Sequence, residues 1–392
     1  MSKPQLADGP ERIALVSAAP ETMISFMSSH LQVLRDVYSV HVVCGRVGTI
    51  PIAKLVQNVN YADISIERKI SPLKDIISLL KLISFFTLNQ FTLVHSITPK
   101  AGLLSMLAAW ICRVPIRVHV FTGQVWITKS GFSRFYLKSF DRLISALATS
   151  LLADSPSQRQ FLVAEKVVKA QDIQVLGNGS ICGVDTFRFK PNEEVKKKVR
   201  FQLRIPVEAT VALFMGRLKI DKGVLDLARA FGASHPELTN LHVMFVGPDE
   251  ESLSNQILKL ANSKSNQVRF VGSVNNPEDF FAAADFLCLP SYREGFGLVT
   301  IEAAAVGIPT LASRIYGITD AIIDEVTGIL HEPGDLAGIA EGLRLMTTHP
   351  KNRQLMGEAA QKRALELFPT SRIVSAQLSY YHSLIHNYRS HA

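Results

Sequence analysis

Short apolar runs alternate along this chain with longer stretches in which apolar residues recur every three or four positions. RIALVSA, SVHVVCG, FTLVHSI, IRVHVF, SLLADS and DIQVLGN are runs of the first kind. SFMSSHLQVLRDV, ISPLKDIISLLKLISFF, PKAGLLSMLAAWICR and FSRFYLKSFDRLISALA lie between them and have helical spacing. Val/Ile/Leu runs suit strands buried on both faces, and helices are the usual crossovers between parallel strands. After FKPNEEVKKKVRFQL, a charged stretch with helical spacing, the rhythm restarts in ATVALFMG, NLHVMFVG, NQVRFVG, DFLCLPS, IPTLASR and TGILHEP. The pattern predicts two α/β units, residues 1–190 and 191–369, with the switch falling between residues 187 and 210. The last stretch, SRIVSAQLSYYHSLIHNY, has a strong apolar face, so residues 370–392 are expected to pack back on the first unit.

A length of 392 residues agrees with two domains, each with a full-sized core. Only the polar leader around MSKPQLADGP is expected to stay outside them, and it does not read as a signal peptide. Two doubly wound sheets set face to face make one deep cleft, because ligands in such sheets bind beyond the carboxyl ends of the strands. His119, Arg217 and Glu294 each lie in or just after a predicted strand, which places them at that cleft.

Two glutamates, Glu294 and Glu302, bracket a Gly-Phe-Gly turn in SYREGFGLVTIEAAAVGIP. Upstream, GRLKIDKG puts Arg217 and Lys222 just after VALFM. Gly295, Phe296 and Gly297 offer backbone to a ligand, and a helix starting near Gly297 would aim free N–H groups at phosphate oxygens. Arg217 and Lys222 add charged donors for a diphosphate, in the ground state and as a glycosidic bond breaks. Glu302 suits the two hydroxyls of a ribose, and Glu294 the sugar beyond the diphosphate. A lone glutamate would read as a solvated surface acid; the intervening glycines and the following AAAVGIP argue otherwise. His119, in the mostly apolar RVHVFTGQVW, has two open readings: a satisfied core histidine, or a ligand-contacting donor and weak acid–base group. His95 is a lesser candidate.

Charge is uneven. Residues 1–190 carry 21 Lys/Arg against 12 Asp/Glu, and residues 191–392 carry 21 against 22. The excess concentrates in residues 113–142, where Arg113, Arg117, Lys129, Arg134, Lys138 and Arg142 face only Asp141. Such a face suits nucleic acid, an anionic membrane or a phosphorylated substrate. Phe132, Phe135 and Tyr136 within it have the spacing of a helix whose apolar face is core, which sets the nucleic-acid reading aside. DIISLLKLISFFTLNQFTLVHS is interrupted by Lys81 and by Asn89-Gln90, and AGLLSMLAAWIC is too short to span a bilayer. Both read first as buried helices; residues 72–88 have a second reading, lying in a membrane surface with Lys74 and Lys81 toward lipid phosphates. Cys44, Cys112, Cys182 and Cys288 are scattered as isolated thiols of a cytosolic protein. No GxGxxG, GxxxxGK[ST], zinc spacing or Asp-x-Asp appears, which argues against dinucleotide, P-loop and metal-bridged diphosphate chemistry.

RLKIDKG, PSYREGFGLVTIEAAAVGIPTLAS and TGILHEPGD resemble the retaining glycosyltransferases of the large bacterial family 4. The resemblance implies the GT-B fold, two Rossmann-like α/β/α domains facing across a cleft, with acceptor bound by the first and nucleotide-sugar by the second. HVFTGQVWITKSG and LGNGSICGVD are similar to members that add an N-acetylhexosamine to an undecaprenyl-diphosphate-linked sugar in surface polysaccharide assembly. The family's pattern implies that Arg217 and Lys222 hold the donor diphosphate, Glu294 the transferred sugar and Glu302 the ribose, with His119 near the reacting sugar. It also implies a UDP-sugar donor, no divalent metal or other cofactor, and retention of anomeric configuration. One departure stands out: many members have Gly-Gly after the first strand where this chain has SAAPETMISFMSSH, so that loop is expected to face the acceptor through Thr22, Met23 and Phe26.

These expectations combine into transfer of an N-acetylated hexose (GalNAc, GlcNAc or a 6-deoxy relative) from a UDP-sugar to a lipid-linked diphosphate saccharide. The protein would act in the cytoplasm, peripheral on the inner face of the membrane, with no nucleic-acid partner. A soluble-acceptor transferase is the alternative within the same fold, and a non-catalytic sugar-nucleotide-binding or scaffold protein the alternative outside enzymes.

Overall fold

A computed structural model describes residues 10–46, 59–67, 71–234 and 238–391, so most of the polar leader lies outside the described residues. Every strand expected from the apolar runs forms. In the first sheet these are β1 (Arg12–Ser17), β2 (Ser39–Cys44), β3 (Asn60–Asp63), β4 (Leu93–Ile97), β5 (Ile116–Phe121), β6 (Ser150–Ala153) and β7 (Ile173–Val175). The order is β3-β2-β1-β4-β5-β6-β7, and every pairing is parallel. The second sheet holds β8 (Thr210–Met215), β9 (Leu241–Val246), β10 (Val268–Gly272), β11 (Phe286–Leu289), β12 (Thr310–Ser313) and β13 (Gly328–His331). Its order, β10-β9-β8-β11-β12-β13, repeats the same winding.

The central strands have no polar face. Ile13 through Val16 and Val211 through Phe214 are fully buried, because helices cover both sides of each sheet. β3 is the exception: NYAD is an edge strand, and its ends are exposed. In each sheet the chain reverses direction across the sheet between the central strand and its later neighbour, β1/β4 in one and β8/β11 in the other. Loops leaving such a pair splay apart and leave a crevice at the strands' carboxyl ends.

The chain crosses between the sheets after β7 and returns at residues 368–370. The two crossings touch: Val184 N–H donates to Phe368 O at 2.8 Å, and Thr370 N–H to Val184 O at 3.0 Å. Helix Thr370–His391 then packs on the first sheet, placing Tyr380, Tyr381 and Ile385 in the core that holds Ile13 and Leu15. Tyr381 also bonds His95 Nδ1, so His95 belongs to that packing and not to the cleft. Its ring is pushed down to about 3 by burial and stays neutral.

Candidate active site

The crevices of the two sheets face each other and merge into one cleft of about 860 Å³. Arg217 leaves β8 and Glu294 follows β11, so both come from the splayed pair of the second sheet. The Glu294 loop is pinned from below: Tyr292 N–H donates to Asp221 O at 3.0 Å, Tyr292 OH to Asp226 Oδ2 at 2.7 Å, and Arg293 pairs with Asp221 at 3.0 Å. Gly297 then takes a left-handed conformation (φ 79°) and opens helix Leu298–Val306, as the sequence predicted. The first residues of that helix, Leu298 and Val299, line the cleft, at the end where a helix leaves backbone N–H groups free.

Arg217, Lys222, Glu294, Gly295, Phe296, Gly297 and Glu302 all line this space. Lys222 Nζ lies 2.7 Å from Glu294 Oε1, so the residues expected to hold different parts of a ligand hold each other. Arg217 reaches Glu250 at 3.2 Å, an exposed pair of the kind worth about 0–1 kcal/mol, which a phosphate can displace. Phe296 contributes backbone to the cleft, but its ring is core, packed edge-on against Phe368 with centroids 5.3 Å apart. Glu302 is partly buried, and its carboxyl is pushed up to about 7 by burial, with Arg188 pulling it down and Glu278 raising it.

Gly295 serves the meeting of the domains more than ligand approach. A Cβ there would stand 2.7 Å from the Thr122 carbonyl and 2.8 Å from Asp154 Oδ2, both of the first domain. The domains also touch where Tyr316 OH donates to Gln124 Oε1 at 2.9 Å and Gly317 N–H donates to Ser157 Oγ at 2.7 Å.

His119 is not in the cleft. Its side chain is buried at 1% exposure, bonded through Nδ1 to Ser96 Oγ at 2.8 Å and edge-on to Phe121. Burial lowers it to about 3, so it is a neutral core histidine. The reason is register: His119 lies inside β5, and the first residue past the strand is Thr122, which does line the cleft. Thr122 and Asp154 are among the cleft-lining residues that the sequence reading passed over. Asp154 carried a readable signal, a charge directly after a buried apolar strand, the same signal that marked Arg217 and Glu294.

Two surface expectations change. Helix Pro72–Asn89 is not simply buried: Leu73, Ile76, Ile77 and Leu80 form one exposed stripe, with Leu73 at 78%. On helix Gly131–Leu147, Phe132 (80%) and Phe135 (63%) are exposed, not core. The core takes the other face, with Asp141, Ile144 and Leu147 buried. The basic residues there are partly spent inside the fold: Arg134 and Lys138 both pair with Glu165, at 3.0 and 2.5 Å, and lie over the Trp126 ring. Helix Pro99–Ile111 is largely buried, as expected. Among the described residues no helix is long and apolar enough to cross a membrane, and no group of three His, Cys, Asp or Glu side chains is placed to hold a metal ion.

Comparison with known proteins agrees with this architecture. Residues 195–363 match the family described as glycosyl transferases group 1, and residues 27–179 match the glycosyl transferase 4-like domain. The capsular polysaccharide biosynthesis glycosyltransferase CapM of Staphylococcus aureus is 30% identical over 317 residues, covering 80% of this chain and 82% of that protein. A D-inositol 3-phosphate glycosyltransferase of Arthrobacter is 32% identical over 247 residues, covering 62% of this chain and 57% of its own length. Among solved structures, sucrose-phosphate synthase from Thermosynechococcus elongatus superposes with a TM-score of 0.81 at 19% identity, covering 96% of this chain and all of that one. Anabaena HepE, solved in complex with UDP and glucose, gives 0.77 at 20%, again with 96% and 100% coverage. Two Rossmann-like domains closing on a charged cleft define the GT-B class. Within it, the chain belongs to the bacterial family 4 glycosyltransferases.

Proposed function

We propose that the protein transfers an N-acetylated hexose, or its 6-deoxy relative, from a UDP-sugar to an undecaprenyl-diphosphate-linked saccharide, retaining the anomeric configuration. The observation that carries the reading is where the cations of the cleft stand. Its second-domain wall presents Arg217, Lys222 and Arg293 with Glu294, Glu302 and the helix N-terminus at Gly297; its first-domain wall mixes the apolar Phe26, Leu103, Val125, Leu137 and Phe140 with Glu21, Asp75, Lys100 and Asp154. The cations suit a diphosphate and Glu302 a ribose, and the apolar residues opposite suit the start of a lipid chain. Helices Pro72–Asn89 and Gly131–Leu147 both contribute residues to this wall and both carry exposed apolar stripes. The proposed location is therefore the inner face of the cell membrane, with those stripes in the lipid surface and the basic first half toward anionic headgroups.

The donor reading is supported by the HepE complex with UDP and glucose, and the polysaccharide reading by CapM. Lys222, Arg217 and the helix N-terminus supply the countercharge for the leaving diphosphate, so turnover is proposed to need no divalent cation. The test is a panel of UDP-N-acetylhexoses with undecaprenyl-diphosphate monosaccharide and with soluble acceptors, with and without EDTA. Product on the lipid acceptor in both conditions is expected; product only on soluble acceptors, or only with added Mg²⁺ or Mn²⁺, overturns the corresponding part. A soluble acceptor is the second reading, favoured by the relatives described as D-inositol 3-phosphate glycosyltransferases.

A further inference from the structure

The end of β6 brings into the cleft a carboxyl that the functional reading has not used. Asp154 has its backbone fully engaged: N–H donates to Gln158 Oε1 at 2.7 Å, and the carbonyl accepts Ser180 N–H at 2.7 Å. Its side chain is different. The residue is 6% exposed and lines the cleft, yet among the described residues its buried Oδ1 has no hydrogen-bond partner. Oδ2 stands 2.8 Å from where a Cβ on Gly295 would be, so the group lies against the backbone one residue past Glu294. A buried polar atom left unpaired is costly, and one that borders a cleft is placed for a ligand to complete it.

The two carboxyls come from opposite domains and differ in surroundings. Glu294 is ion-paired to Lys222. Asp154 is raised to about 7 by burial and by the charge of Glu294. Around neutral pH Asp154 therefore keeps its proton in a large share of molecules and can donate, while Glu294 accepts. Sugar hydroxyls both donate and accept, so a donor beside an acceptor is a matched site for them.

The geometry points to Asp154 as a substrate-contacting residue that hydrogen-bonds a hydroxyl of the transferred sugar from the first-domain side of the cleft, opposite Glu294. The inference rests on the UDP-sugar donor reading. Among the described residues, Glu294 raises the carboxyl. Cys182, whose thiol is itself raised by burial, Glu302 and Asp154, is the other titratable group that senses it. Lys222 Nζ is paired with Glu294 at 2.7 Å.

The test measures UDP affinity by calorimetry and donor kcat/KM from pH 6 to 8.5 for the wild type, D154A and D154N. UDP has no transferred sugar, so its Kd should stay within about twofold in both variants. Donor kcat/KM should fall by tens- to hundreds-fold in D154A and much less in D154N, whose amide still donates. The ratio of wild-type to D154N donor kcat/KM should fall as pH rises through about 7, since the Glu302 carboxyl acts on both enzymes alike and cancels from the ratio. A D154A enzyme with donor kcat/KM within twofold of wild type overturns the inference. So does a fall in UDP affinity that tracks the fall in kcat/KM, since that marks a role in holding the domains together. A wild type that binds no UDP is visible before any variant is made, and it removes the donor reading and this inference with it.

Discussion

Lys222→Met is the sharpest perturbation of the proposed machinery, because it separates stability from turnover. Lys222 Nζ and Glu294 Oε1 are 2.7 Å apart, with side chains 18 and 14% exposed. Removing one partner of a fully buried pair costs about 3–5 kcal/mol; the residual solvent contact here brings the expected loss to about 1–3 kcal/mol. Adding Glu294→Gln removes the stranded charge, so the double variant should recover most of that stability. Turnover should not recover. Losing a preorganised cation on the leaving diphosphate costs about 2–4 kcal/mol, or roughly 30- to 1000-fold in kcat/KM. Thermal denaturation and steady-state transfer on the two single variants and the double variant form the assay. If kcat/KM of Lys222→Met stays within a few-fold of wild type, or rises back to it in the double variant, Lys222 acts only through its pair with Glu294 and the diphosphate is held elsewhere.

Two further outcomes are expected. Burial holds the Glu302 carboxyl near 7, whereas a ribose acceptor must be ionised; below pH 7 UDP binding should therefore release up to about one proton. Calorimetry at pH 6 in two buffers of different ionisation enthalpy should show the release in the wild type and not in Glu302→Gln, and a wild type without it would take the ribose role from Glu302. At the surface, Phe132→Ser with Phe135→Ser should leave the Tm within about 2 °C and reduce flotation with anionic liposomes, since both rings are exposed. Unchanged flotation would leave the stripe on helix Pro72–Asn89 as the docking surface.

The fold was legible because buried parallel strands cannot hide their composition: twelve apolar runs became twelve of the thirteen strands among the described residues. NYAD escaped because an edge strand with exposed ends has no apolar run to show. Arg217, Lys222, Glu294 and Glu302 were legible by position, just past strands β8 and β11 or at the glycine-led helix start. Of the two readings of His119 the core histidine holds; the choice was open because sequence shows that a strand is present more firmly than where it stops. Three positions along the chain separate a core imidazole bonded to Ser96 from the cleft-lining Thr122. Phe132 and Phe135 misled for a different reason. Helical spacing groups residues on one face but cannot say whether that face meets the core or the solvent, and here Trp126 and Glu165 draw the basic residues inward instead.

The most direct test of the central claim is a crystal structure of the protein with an intact UDP-N-acetylhexose. The diphosphate should lie against Arg217, Lys222 and the N–H groups after Gly297, with the ribose hydroxyls on Glu302 and the sugar between Glu294 and Asp154. A nucleotide seated away from these residues, or one whose sugar points out of the cleft toward solvent, would contradict it.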